Sequence, residues 1–189
     1  MRFRFLYIII FLVTLSGCNK ATESLIVDAS NINLKLDNGV LFLKEMPFEG
    51  VLVTYYPTSE LKSEIQYLNG KKNGYERQWD DNGEQLIERF YKNGYKTGIH
   101  KAWLSSGQLK FEYYFNDRGE FHGSVKEWYK NGQIFRDFNY IEGKEVGSQR
   151  LWKDDGTIKA NYEVVNGERF GLIGLKKCYT VTFNEDEIK

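Results

Sequence analysis

The chain is short of several things at once. Of its 189 residues only two are Cys, two His, two Pro and two Met. Two cysteines build no disulfide framework, and two histidines fall short of the three or four ligands at close spacing that a zinc site takes. Neither sign of charge is in surplus: 26 basic and 26 acidic side chains cancel to a formal net charge of zero. Nucleic-acid binding draws on an excess of Lys and Arg, so that class is disfavoured. The longest apolar run near the start is residues 5–13, nine residues, where a membrane span needs about 20. No Gly-x-Ser-x-Gly element and no phosphate loop occurs. What the chain does have is 18 Gly, 16% aromatic and 41% hydrophobic residues in a one-domain length. That mixture speaks against disorder and suits many strands joined by tight turns.

Residues 1–17 read as a secretory signal, with Arg2 and Arg4 as the charged start and the nine apolar residues behind them. Leu15-Ser16-Gly17-Cys18 resembles the bacterial lipobox. The resemblance implies cleavage before Cys18, a thioether-linked diacylglycerol on its sulfur and an acyl chain, such as palmitate, on its new amino group. Three acyl chains exceed the two signals that stable anchoring requires. The expected location is the cell envelope, on the inner or the outer bacterial membrane; an ordinary secretion signal ending in Cys is the alternative. With Cys18 alkylated, Cys178 has no intramolecular partner, and behind the apolar run 171–175 it reads as a small buried hydrophobe. Residues 18–32 read as lipidated cysteine and linker, 33–183 as the folded repeat domain, and 184–189 as an acidic tail.

Gly and Trp fall on one ruler. Gly50, Gly74, Gly98, Gly123, Gly147 and Gly171 step by 24, 24, 25, 24 and 24 residues. Nine residues further stand Gly83, Gly107, Gly132 and Gly156, and a third column holds Gly70, Gly94, Gly119, Gly143 and Gly167. Five residues past the first column come Trp79, Trp103, Trp128 and Trp152, with Tyr55 in that place in the first repeat. Dipeptides such as Asn131-Gly132 and Asn93-Gly94 are turn signals, so each repeat reads as strand, turn, strand, turn. A three-residue loop ending on Gly sets Trp128 opposite Ile134 and Trp152 opposite Ile158, aromatic on aliphatic, and is preferred to a two-residue loop. It also puts Leu109, Phe111, Tyr113, Phe115, Phe138 and Tyr140 on the Trp face. Glu64, Glu88, Glu112 and Asp137 are then left on a solvated opposite face.

The segment Asn-Gly-Lys-Lys-Asn-Gly at 69–74, with Trp79, Asn82-Gly83 and the hairpin signature Asn131-Gly132-Gln133-Ile134, resembles the MORN-repeat variant of bacterial proteins. The resemblance runs from about residue 38 to 178. It implies an all-β fold: an elongated single-layer antiparallel sheet of repeated β-hairpins with a period of about 24 residues. Chains of this type are often lipoproteins and are commonly labelled YwqK-type antitoxins of toxin–antitoxin systems. End repeats of such arrays need caps. Residues 33–48, turning at Asp37-Asn38-Gly39, are expected to form the N-terminal one, and Lys176 in the Trp column marks a capping strand at the other end.

Candidate chemistry is sparse. His100, placed in a strand on the acidic face, and His122, placed in a turn, read as surface histidines, and the acidic column as solvated charge. No catalytic residue, metal or cofactor is expected. One pattern is sharper: two residues before each Trp stands a cation, giving Arg77 with Trp79, Lys101 with Trp103, Lys126 with Trp128 and Arg150 with Trp152. In structural terms, Arg and Lys stems cover the Trp rings. In functional terms, the ladder is a binding face for a partner protein or an envelope polymer. The favoured function is a membrane-anchored, non-catalytic repeat scaffold; the alternative is an antitoxin-like neutraliser of a cognate toxin. The expected partners are the membrane, through the lipid anchor, and a protein or polymer, with no nucleic acid.

Overall fold

The computed structural model describes residues 24–174. The signal-like segment, Cys18, Lys176, Cys178 and the acidic tail lie outside the described residues. Within them every element is a strand. In chain order these are β1 (Ile26–Asp28), β2 (Leu34–Asp37), β3 (Val40–Leu43), β4 (Met46–Pro47), β5 (Gly50–Tyr55), β6 (Leu61–Leu68), β7 (Lys71–Trp79) and β8 (Gln85–Lys92). They continue as β9 (Tyr95–Trp103), β10 (Leu109–Phe115), β11 (Phe121–Trp128), β12 (Ile134–Ile141), β13 (Lys144–Glu145), β14 (Gly147–Trp152), β15 (Ile158–Val165) and β16 (Glu168–Leu172). One 13-stranded sheet runs β1-β5-β6-β7-β8-β9-β10-β11-β12-β14-β15-β16, with β13 on β12. From β5 onward each strand pairs antiparallel with its sequence neighbour or, past β13, the next but one. The fold is the open, all-β hairpin sheet that the Gly and Trp columns imply.

The two kinds of turn follow from their residues. At Asn69-Gly70, Asn93-Gly94, Glu142-Gly143 and Asn166-Gly167 both residues take positive φ, closing two-residue loops of the primed type. At the opposite ends of the hairpins the loop has three residues: Tyr129 N donates to Gln133 O at 2.8 Å, and Gly132 N to Tyr129 O at 3.0 Å. The 25-residue repeat also uses the three-residue form at its closing turn, where Asn116 N donates to Glu120 O, and that is where its extra residue goes. Trp128 stands opposite Ile134, Trp152 opposite Ile158 and Trp103 opposite Leu109, as the loop choice requires.

The face assignment needs correction. Immediately inside each of these tips the register shifts by one residue, between Glu127 and Trp128, for example, and between Gln78 and Trp79. Such a bulge exchanges the faces of everything beyond it on one strand. Phe111, Tyr113 and Phe115 therefore lie opposite Ala102, His100 and Gly98, away from the Trp face. Phe138 and Tyr140 likewise lie opposite Val125 and Gly123. Their rings pack on one another there: Phe111 on Tyr113 at 4.3 Å between centroids, Phe115 on Phe121 at 4.8 Å, Phe121 on Tyr140 at 5.3 Å. This face is the better buried one and holds Tyr91, Val125, Gln149, Ala160 and Tyr162.

Where one repeat meets the next, the ladder opens at the first Gly column. Glu88 pairs with Lys101, but two residues on Phe90 pairs with Thr97, so Gly98 sits in a wide irregularity; Gly74 and Gly123 do the same. Side chains close these openings. Gln66 Oε1 accepts from Tyr75 N at 2.9 Å, and Gln149 accepts from Asn139 N at 3.1 Å and donates to Asn139 O at 2.9 Å. Gly74, at φ +107°, is forced: a Cβ there would lie 2.0 Å from Gln66 Oε1.

Residues 33–48 form the N-terminal cap as expected, with β2, β3 and β4 as a separate 3-stranded sheet turning at Asn38-Gly39. Val27, Leu41 and Phe48 make its core, with Leu34, Leu43, Leu52 and Tyr67 against them. The first closing turn docks it, since Leu41 N donates to Gly70 O and Gly70 N to Phe48 O, both at 2.8 Å. The folded part begins earlier than expected. β1 lies inside the segment read as linker, where a three-residue strand is too short to show a pattern, and pairs parallel with β5.

Candidate binding face

On the Trp face one residue per strand lines up across the sheet. Glu64, Arg77, Glu88, Lys101, Glu112, Lys126, Asp137 and Arg150 are successive cross-strand partners on β6 to β12 and β14. The acidic column, expected on the far face, therefore interleaves with the cations of the ladder because of the bulge at each tip. The result is an uninterrupted row of alternating charge. Arg77 bridges two carboxylates, Glu64 and Glu88, each at 3.1 Å, and Lys101 Nζ reaches Glu112 at 3.0 Å. Hydrogen bonding to Glu112 holds the Lys101 ammonium above its ordinary range. Lys126 lies between Glu112 and Asp137, and Arg150 between Asp137 and Asn161.

Trp79, Trp103, Trp128 and Trp152 flank this row on one side, all half-buried. Tyr75, Phe90, Ile99 and Tyr114 flank it on the other, with Tyr75 edge-on to Phe90 at 5.0 Å. Among the described residues the one charged group of the row that stands over a ring is that of Arg77, 4.3 Å from the Tyr75 centroid, while Arg77 and Lys101 pair with the carboxylates beside them. The eight residues singled out from the sequence thus share one face, but the cation row also contains four acids that the sequence reading placed elsewhere.

Other functional-looking side chains are internal. His100 is not a surface histidine: it is 2% exposed on the aromatic face, between Tyr91 and Phe115, with Nε2 donating to Phe90 O at 2.8 Å. Burial makes its ring harder to protonate than an ordinary imidazole, assisted by Arg89 and Lys96 nearby. His122 is exposed, as expected, but in β11 and not in a turn. Glu76, unremarked in the sequence, is 3% exposed and gathers Lys72 at 2.6 Å and Arg89 at 3.4 Å. Burial works against its charge, but those cations outweigh it and hold the carboxyl below its usual range. Tyr91 alongside is pushed up to about 12 by burial and by Glu76. Tyr113 meets Glu127, which Arg136 also meets. At the tips, Tyr56 and Tyr129 hydroxyls donate to the carbonyls of Trp79 and Trp152, one repeat on, at 2.9 and 3.1 Å. These groups tie repeats together. A Tyr directly after the Trp column was the visible signal for the last pair.

Stacked hairpins with a periodic face of charge and aromatic rings define a repeat-built binding module. The family model for the MORN repeat variant matches residues 48–69 and 121–142, that is, β5 with β6 and β11 with β12. The two matches begin three repeats apart, and the hairpins between them keep the same Gly and Trp register. Two of the chain's hairpins are thus similar to MORN-type repeats. No curated protein matches it.

Proposed function

We propose that the protein is a lipid-anchored scaffold of the bacterial cell envelope that binds a partner protein through the charge-and-tryptophan face, without chemistry of its own. The observation that carries the reading is the row of alternating charge flanked by aromatic residues. A uniformly anionic polymer laid along it would meet a carboxylate on every second strand, at a spacing of about 10 Å. A protein surface with its own pattern of charge and apolar residues suits the row better. Anchoring is supported by the lipobox-like residues ending in Cys18, and the folded part starts a few residues later, at β1. In cells, Cys18→Ser should move the protein from the membrane to the soluble fraction. Membrane retention equal to wild type would refute the anchor.

A further inference from the structure

The row of alternating charge has a symmetry that selects its partner. It holds eight members, and an alternating row with an even number of members becomes its own complement when reversed. A two-fold axis parallel to the strands, between β9 and β10, reverses strand order and turns one sheet to face another. Under it Glu64 faces Arg150 of a second copy, Arg77 faces Asp137, Glu88 faces Lys126 and Lys101 faces Glu112. All eight contacts join opposite charges. The same operation sets Trp79 over Ile134, Trp103 over Leu109, Trp152 over Leu61 and Trp128 over Gln85, so three of the four bulkiest rings meet aliphatic side chains. On this basis, and resting on the reading of the face as a binding face, we infer that its partner is a second copy of this chain, in a face-to-face antiparallel homodimer.

The dimensions and chemistry agree. Eight strands at about 4.8 Å and three rows of side chains cover roughly 700–800 Å² per copy, the size of a standard stable interface. Both sheets carry the same right-handed twist, so they stack around one axis as the layers of a sandwich do. The ion-paired members are only partly used: Arg77, Lys101 and Glu88 each keep about a third of their side-chain surface open. A carboxylate or guanidinium has acceptors or donors to spare for a second partner.

The test changes the order of charges and leaves their number unchanged. Sedimentation velocity of residues 19–189 should show a dimer. Inverting half the row (Glu64→Lys, Arg77→Glu, Glu88→Lys, Lys101→Glu) leaves one like-charged neighbour pair within the sheet but sets like on like at every contact across the two-fold, and should give a folded monomer. Inverting all eight restores complementarity and should restore the dimer. If the half-inverted chain does not fold, the fully inverted one, which keeps every internal pairing, is mixed with wild type. The two should sort into separate homodimers. A monomeric wild type, a half-inverted dimer, or free mixing of wild type with the fully inverted chain would each overturn the inference. The first result would leave the face open to a different protein, so the broader reading would stand or fall separately.

Discussion

Two residues past the first Gly column the chain gives four different answers to one opening in the ladder: Glu76, His100, Val125 and Gln149, all buried. His100 and Gln149 both donate to a carbonyl of the preceding strand, so a glutamine can replace the histidine. His100→Gln should cost under about 1 kcal/mol at neutral pH, whereas His100→Val, which orphans the Phe90 carbonyl, should cost about 1–3 kcal/mol. The histidine alone brings a pH dependence. In the unfolded chain its ring protonates near 6.5, and in the fold only at lower pH. The unfolded state therefore binds more protons below 6.5, and stability should fall as pH drops through that window. Glu76, held low, adds a further loss only below its ordinary 4.5. Thermal melts between about pH 7 and 5 should thus be flatter for His100→Gln than for wild type; equal slopes would remove His100 as the cause. None of this column was legible as buried. Burial in an alternating strand depends on which face is inward, and one bulge reverses the answer.

At the scale of the element, the turns were the most readable feature and the bulges the least. Asn-Gly pairs and isolated Gly announce positive φ because other residues pay a steric penalty there, so loop lengths and the Trp128–Ile134 register could be read directly. The bulge inside each tip carries no such mark: its extra residue is ordinary in type, as Leu86 and Lys110 show, between the paired positions of β8 and β10. Hence the Trp and cation columns were found, and the acids that share their face were misplaced. The Gly columns differ in kind as well. Gly83 sits at φ +83° in open space, so Gly83→Ala should cost about 1 kcal/mol from backbone conformation alone. Gly74→Ala must also displace Gln66 from the Tyr75 amide and should cost about 2–4 kcal/mol. Urea unfolding of both variants checks the order, and equal losses would mean that Gln66 contributes nothing to the junction.

For the whole molecule, the period was legible because each repeat is one supersecondary unit that leans only on its neighbours. The first strand was not, because its pairing with β5 is set by the cap that intervenes and not by any local pattern. The chain enters this sheet at one end, in β1, and from β5 onward crosses it strand by strand to β16 at the other. A pull on the two ends runs along the hydrogen bonds and perpendicular to the strands. Bonds loaded that way break in succession and not all at once, so the sheet should yield at low force, hairpin by hairpin. Each 24-residue repeat would release roughly 80 Å of chain and lose about 10 Å of sheet, for steps of roughly 70 Å. Optical-trap extension should show an evenly spaced staircase, and a single high-force rupture would mean that the repeats bear load together. Under such a load a molecule built so should lengthen by fixed increments and shorten again when the strain passes.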